Sequence, residues 1–335
     1  MHSPPIALAD LAARLIRCSL LLACLAGTPA LALDPALRLT DYHHTTWTAK
    51  EGAPARIVTM AQTRDGWLWL GTQSGLYRFD GITFTRFAAA DGSTPLAASI
   101  SNLYAQKNGD LLIGYITGGL SLLRNDTLVH LRERGEMPAS YQAEIDIDGS
   151  LWVGATDGLH RYHGGVWTRF GAAHGFPDSA ARNVTLDHYG RLWANDGDDL
   201  YLFDRAQERF TRVGLAGDAS AIVPSPDGRV WRGADGVWQA LPLPPHTAPV
   251  PVPAWRAPSA SAGGLFDRDG NHWALRCPVG LCRTAAPRLR DTDRFLADAA
   301  ASDRLDQPWQ LGSLAPNVIL EDREGNIWVG TQAGL

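Results

Sequence analysis

From residue 33 onward, apolar and polar positions alternate with period two over short runs, and the runs stop at Asp-Gly, Asn-Gly or a close variant. That is the pattern of half-buried β-strands joined by tight hairpins. No stretch in this region sustains a 3.6-residue apolar period without a Gly or Pro interrupting it. Laid against itself, the chain repeats Asp-Gly-x-Leu-Trp-x-Gly, then Gly-Leu-x-x-Phe/Tyr, then aromatic-Thr-Arg-Phe. The clearest copy is Asp65-Gly66-Trp67-Leu68-Trp69-Leu70-Gly71, followed by Gly75-Leu76-Tyr77-Arg78-Phe79-Asp80-Gly81 and Phe84-Thr85-Arg86-Phe87. Its near twin runs from Asp148-Gly149-Ser150-Leu151-Trp152-Val153-Gly154 to Trp167-Thr168-Arg169-Phe170.

Anchored on the turn glycine, copies fall at Gly66, Gly109, Gly149, Gly190, Gly228, Gly270 and Gly325, at intervals of 43, 40, 41, 38, 42 and 55 residues. Three residues after six of these glycines stands a tryptophan (Trp69, Trp152, Trp193, Trp231, Trp273, Trp328), and Leu112 fills the other position. A period near 41 with four short strands per unit is the length of a propeller blade. The expected fold is therefore all-β: a seven-bladed β-propeller of four-stranded antiparallel blades. Within each unit the Asp-Gly step supplies the positive φ angles of a hairpin turn. The Trp fills the wedge between blades, the following Gly ends its strand, and Thr-Arg-Phe forms an outer, half-exposed strand.

The ends match each other. Trp47 precedes Pro54 by seven residues, as Phe170 precedes Pro177, so the segment before Trp47 reads as an outer strand. Leu335 corresponds to Leu76, and Leu37-Arg38-Leu39 aligns with Tyr77-Arg78-Phe79. Two readings stay open: a ring closed head to tail by the N-terminal strand, or an array whose repeats continue past Leu335. Two copies have decayed. The run Leu241 to Pro258 holds seven prolines and reads as a loop plus a weak edge strand. The long interval before Gly325 contains Asp291 to Asp306, polar and Ala-rich, expected to form one short helix.

Residues 1–32 differ in character. Arg14 and Arg17 form a basic region, CSLLLACLA an apolar core, and Ala30-Leu31-Ala32 a small-x-small cleavage site. This is the pattern of a secretory signal peptide, and the apolar run is short for a membrane span. The expected domains are thus a signal peptide at 1–32 and a propeller at 33–335, with a periplasmic location. The leader holds two of the 30 basic and one of the 35 acidic residues, so the remainder carries a net charge of −6. Of four cysteines the remainder keeps Cys277 and Cys282, a disulfide candidate in an oxidising compartment. The absence of a basic tract argues against nucleic acid as a partner.

At this point the residues resemble the two-component regulator propeller repeats, which form the periplasmic sensor region of bacterial membrane-bound histidine kinases, including hybrid kinases, and of related diguanylate cyclases. The resemblance rests on Gln62-Thr63-Arg64-Asp65-Gly66-Trp67-Leu68-Trp69-Leu70-Gly71-Thr72 with Gly75 to Gly81. It returns at Glu321-Asp322-Arg323-Glu324-Gly325-Asn326-Ile327-Trp328-Val329-Gly330-Thr331 and in the lead-in from Trp47 to Pro54. It implies a sensory domain whose ligand is a small polar molecule, a saccharide being the class the family suggests, and a membrane-bound signalling partner or a C-terminal output domain. Residues 33–335 contain no ATP-binding boxes, no GGDEF-like loop and no receiver domain, so any kinase or cyclase activity would belong to a longer parent.

No hydrolase, zincin or dinucleotide motif is present, and no enzyme activity or cofactor is expected. His160 and His163 lie three apart on an expected strand and so face opposite sides, which is wrong for a metal pair. His43 and His44 are expected to be solvated. Asp267-Arg268-Asp269-Gly270-Asn271 looks like a calcium loop but lacks the later Glu, and turn chemistry accounts for it. What varies between copies is the loop joining strands two and three. From these loops Gln73, Tyr115, Thr117, Asp157, Asp196, Asp198 and Asp235 are candidate ligand-binding residues forming a polar, acidic mouth. Two other readings remain: an envelope scaffold that binds protein through this face, and a propeller lyase. Streptogramin lyases share short Trp-Gly blades but use His and Glu at the mouth, and these loops contain no Glu.

Overall fold

In the computed structural model the described residues are 37–133, 135–215, 221–234, 236–241, 263–277, 280–301, 303–305 and 316–335. Strand formation follows the alternation. Blade 1 consists of Ile57–Gln62, Leu68–Thr72, Leu76–Phe79 and Phe84–Arg86, paired antiparallel in that order. Blade 2 spans Ile100–Ala105 to Thr127–Arg132, blade 3 Ser140–Ile145 to Val166–Phe170, and blade 4 Asn183–Leu186 to Arg209–Leu215. Each is a four-stranded meander. The first strands of successive sheets are neighbours all the way round, including the last against the first, so they line a central channel.

The repeated tryptophan is held by more than burial. Its indole Nε1–H donates to the side chain six residues upstream: Trp69 to Thr63 (2.9 Å), Trp193 to Asp187 (2.8 Å), Trp231 to Ser225 (3.1 Å), Trp273 to Asp267 (2.8 Å) and Trp328 to Asp322 (2.7 Å). Where the acceptor is Asp it also caps the hairpin turn, as Asp267 takes the N–H groups of Asp269 and Asn271 at 3.0 and 2.8 Å; Thr63 and Ser225 instead donate to Asp65 and Asp227, which take the turn N–H. In the Asp copies one residue thus fixes the turn and orients the ring that fills the wedge. Blade 3 departs from this: Arg205 engages Asp146, and Trp152 Nε1 is left without a partner. There the ring packs edge-on against Phe170, Phe203 and Phe210 at 4.7, 4.9 and 5.6 Å.

The glycine after the Trp does not end its strand. Leu68–Thr72 and Ile327–Thr331 both run through it. A Cβ on Gly330 would stand 2.7 Å from side-chain carbons of both Ile57 and Val318. Glycine is needed because the first strand of the next blade passes over it.

The expectation of seven four-stranded blades requires correction. Six sheets have four strands; the seventh has two, Pro316–Glu321 and Ile327–Thr331. The N-terminal segment contributes no strand. It forms short 3₁₀ turns at Leu39–Asp41 and Ala49–Glu51, the second capped reciprocally by Thr48 and Glu51. Trp47 and Leu335 exchange N–H···O bonds of 2.9 and 3.1 Å, and Arg56 N donates to Gln332 O at 3.0 Å. Leu37-Arg38-Leu39 does not pair as a third strand. Leu39 nonetheless buries in the cluster of Trp273, Leu275, Leu281 and Ile319.

Blades 5 and 6 are interlocked in a way the repeat does not predict. Blade 5 begins Ala221–Pro224, Val230–Ala234, Val237–Ala240, and its outer strand is Arg294–Leu296, which follows the third strand of blade 6 in sequence. Blade 6 comprises Gly264–Phe266, His272–Cys277, Gly280–Thr284 and Asp303–Leu305. The single helix expected within 291–306 is therefore two strands flanking the four-residue helix Ala297–Ala300, with another at Ala286–Leu289. Residues 242–262, most of the proline run expected to hold a weak edge strand, lie outside the described residues. Phe295 plugs the seam, packing on Trp231 and His272 at 5.3 and 5.2 Å.

Candidate functional site

The loops joining strands two and three lie on one face, and those of blades 1, 3 and 4 are held by hydrogen bonds from their own blade. In blade 1, Thr72 Oγ1 donates to Gly75 O (2.8 Å) and accepts from Ser74 N (3.0 Å), leaving Gln73 exposed, where it accepts from Arg56 Nη1 at 2.8 Å. In blade 3, Asp157 Oδ1 lies 2.8 Å from His160 Nε2. In blade 4, Asp196 Oδ1 accepts from the N–H groups of Asp198 and Asp199 at 3.0 and 2.7 Å, and its Oδ2 takes the Tyr201 hydroxyl at 3.4 Å. Desolvation and the neighbouring Asp196 and Asp199 push the Tyr201 phenol up to about 12. Thr117 and Asp198 are exposed. Tyr115 is not at the mouth: it is fully buried in the core, its hydroxyl donating to Ser121 at 3.0 Å. Asp235 lies outside the described residues. The remaining candidates share a face, with no hydrogen bond joining any two of them across blades among the described residues.

A recurring arginine, unassigned from the sequence, holds these turns. Arg86 donates to Ser74 O at 3.0 Å, Arg169 to Asp157 O at 3.0 and 2.6 Å, and Arg212 grips the Asp199 carboxylate at 2.6 and 2.7 Å. Each comes from the Thr-Arg step of the fourth strand. The guanidinium passes over the turn glycine: a Cβ on Gly75 or Gly158 would stand 3.1 Å from Arg86 Nε or Arg169 Nε. The signal was present, since Gly75 to Arg86 and Gly158 to Arg169 are the same eleven-residue interval.

Two further features were missed. The face is not purely acidic, because Arg56 stands beside Gln73 and Arg182 packs on Gly197, its Nε 2.8 Å from where a Cβ would be. Beneath Asp196, Asn195 is fully buried with neither amide atom hydrogen-bonded, and its ladder partner Asn183 has a buried, unpartnered Oδ1. Buried amides without partners are costly, so this pair offers unspent hydrogen-bonding capacity just below the turn.

A separate cleft of about 330 Å³ opens beside the two-stranded sheet, between Ile327–Val329 on one side and Tyr42 to Trp47 on the other. His43 and His44 line it and are exposed. His160 and His163 serve different partners, His163 Nδ1 lying 2.8 Å from Ser150 Oγ. Cys282 is buried and disulfide-bonded; the backbone of Cys277 pairs with Gly280, and its side chain lies outside the described part.

The fold is similar to two extracellular domains from B. thetaiotaomicron. One belongs to the hybrid two-component system BT3049, with a TM-score of 0.65 and 15% identity over 87% of this chain and 40% of that one. The other belongs to BT4673, described as a one-component system, with a TM-score of 0.61 and 20% identity over 87% and 39%. This chain thus spans about two-fifths of the length of those domains. It is also similar to a catalytically inactive virginiamycin B lyase from Staphylococcus aureus, with a TM-score of 0.60 and 14% identity over 87% and 95%. At these identities the likeness concerns the fold. No protein of curated function matches the chain by sequence. Residues 310–333, the repeat around Trp328, match the two-component regulator propeller. The same Trp and close-approach Gly recur around the ring, so the similarity to that family's repeat extends beyond the matched residues.

Proposed function

We propose that this chain is an exported sensory propeller that binds a small polar ligand through the face formed by the loops joining strands two and three. The observation that carries the reading is a constant scaffold presenting loops of differing polarity, clamped by Arg86, Arg169 and Arg212, above the unpartnered amide of Asn195 and the unpartnered Oδ1 of Asn183. The family match and the extracellular sensor domains of the same fold support it. Gln73, Thr117, Asp157, Asp196 and Asp198 supply the contacts, Arg56 and Arg182 complement an anionic or hydroxyl-rich ligand, and Asp235 is assigned to the same face by its place in the repeat. Binding is relayed to a membrane-bound signalling partner or to an output domain of a longer parent. Cleavage after Ala32 releases the leader, and Cys277 is the partner of Cys282.

The test is a panel of mono- and oligosaccharides assayed by thermal shift and calorimetry on the purified chain. A ligand at a hundred times its Kd adds about 2.7 kcal/mol to stability. The double variant Gln73→Ala/Asp198→Asn, both exposed positions, is expected to lose that shift while melting like the parent. A ligand whose shift survives the double variant, or a panel with no binder, sinks the reading.

A further inference from the structure

One aromatic ring departs from the burial of the others. Of the Trp, Tyr and Phe side chains among the described residues, Tyr141 alone is exposed, at 44%. Its strand, Ser140–Ile145, is the first of blade 3 and lines the central channel. A bulge places the ring there: Ser140 pairs with Ala155 and Gln142 with Gly154, so Tyr141 is the extra residue, without a ladder partner. Blades 1 and 2 carry the same bulge, but with the half-buried Val58 and Ser101 in that place. Only blade 3 turns an aromatic face to the channel mouth, where it leaves apolar area in water.

The polar groups around it are only partly satisfied. From blade 2, Asn102 donates to Ser140 O at 3.1 Å and to Ser140 Oγ at 2.7 Å, while its own buried Oδ1 has no donor. From blade 4 the chain crosses directly over the end of blade 3. Ala181 N donates to Ala155 O at 2.9 Å, and a Cβ on Gly154 would stand 2.6 Å from Ala181 O. That crossing brings Arg182 and Asn183 to the lip beside Ser140 and Tyr141. Asn183 Oδ1 has no donor either. Arg182 is exposed, and among the described residues its guanidinium has no ion-pair or hydrogen-bond partner. The neighbouring acids are engaged elsewhere: Asp196 Oδ1 takes two N–H groups, and Asp157 lies against His160.

We propose that Tyr141 and Arg182 form a binding subsite on the blade 3–4 lip of the channel for a hydroxylated ring that carries one carboxylate, the chemistry of a hexuronic acid. The subsite rests on the sensory reading above and names the ligand class for the same face. The Tyr141 ring stacks on the C–H face of the ligand ring, and Arg182 takes the carboxylate through paired N–H donors. Ring hydroxyls donate toward Asn102 Oδ1 and Asn183 Oδ1, directly or through a bridging water. The three features ask for an apolar face, an anion and O–H donors on one molecule. A neutral sugar leaves Arg182 unanswered, and a simple anion leaves Tyr141 uncovered.

The experiment is calorimetric titration of the full chain with D-galacturonate, its trimer, D-galactose and acetate. Galacturonate is expected to bind about tenfold tighter than galactose, and acetate not at all. Tyr141→Ala should weaken galacturonate about tenfold, while Tyr141→Phe stays within about twofold of the parent, because the ring and not the hydroxyl makes the contact. Arg182→Ala should weaken galacturonate by about thirtyfold and leave galactose unchanged. Both positions are exposed, and melting temperatures equal to the parent's without ligand would separate lost binding from lost folding. Equal affinity for the trimer assigns the free acid as the source, and a further gain of about tenfold assigns the end of a polymer. Galacturonate that binds no tighter than galactose, or that ignores Tyr141→Ala or Arg182→Ala, overturns the proposal. Should galactose still bind in a manner that depends on Gln73 and Asp198, the sensory reading stands without this subsite; if nothing binds, both fall.

Discussion

At the scale of single residues, the unit that repeats is a pair: a Trp and the acceptor six positions before it. An Asp acceptor takes the turn N–H groups and the indole at once, as Asp267 does, whereas Ser225 accepts the indole and donates to Asp227, which takes the turn N–H of Arg229. Burial raises the Asp267 carboxyl, and the bonds from Trp273 and Asn271 oppose that rise. Asp267→Ala leaves the Trp273 indole and the Asn271 amide without their acceptor, and should cost about 2–3 kcal/mol. A urea midpoint shift with unchanged m-value would show it; a neutral outcome would mean that water replaces the carboxylate. Sequence pattern revealed the Trp and the turn because they are close together along the chain. It gave the glycine two places after the Trp the wrong role, because the contact that demands glycine comes from the neighbouring blade. For the same reason Tyr115 read as a mouth residue: the hydroxyl suggested solvent, whereas Ser121 satisfies it inside the core.

At the scale of elements, most strands were legible because each blade is a local meander. The exception is blade 5. Prolines lack the N–H that an edge strand gives its neighbour, and the chain after Val237–Ala240 is rich in them. The place is taken by Arg294–Leu296, which pairs Val237 with Leu296 and Trp238 with Phe295. Arg229 ties the excursion down through the carbonyls of Thr292 and Leu289, both at 2.8 Å. No local rule links residues nearly sixty positions apart, so the exchange was invisible beforehand. It makes blades 5 and 6 one cooperative unit. Phe295→Ala, removing a buried ring shared by Trp231 and His272, should cost about 3–5 kcal/mol. Exchange protection should fall together at the amides of 230–240 and 272–284, with blades 1 to 3 unaffected. Loss confined to blade 5 would contradict the coupling.

At the scale of the whole molecule, the ring was legible in the seven turn glycines. Its last sheet was not, because Leu37-Arg38-Leu39, which the repeat aligned with a third strand, packs on blade 6 instead of pairing there. The wedges between blades also set how stability depends on pH. His272 stands where other copies have Leu68, Leu111, Leu151 and Leu192; it is fully buried, neither ring nitrogen has a partner, and desolvation lowers its pKa from 6.5 to about 3. Unfolding lets it take a proton, so stability falls as pH drops below 6.5. Glu144, buried between Tyr104 of blade 2, whose hydroxyl donates at 2.6 Å, and Leu186 of blade 4, is raised by desolvation from 4.5 to about 8. The folded protein keeps that proton while the unfolded chain releases it, so stability falls as pH rises above 4.5. Between 4.5 and 6.5 the two slopes oppose each other, and these groups together give a plateau there, with shoulders falling toward pH 3 and pH 8. Denaturant unfolding across that range should show His272→Leu flattening the acid shoulder and raising stability near neutrality by about 1–2 kcal/mol, since two orphaned nitrogens are removed. Glu144→Gln, which keeps an acceptor for Tyr104, should flatten the alkaline shoulder alone. If either variant changed the opposite shoulder, the assignment of proton uptake to these two wedges would be wrong.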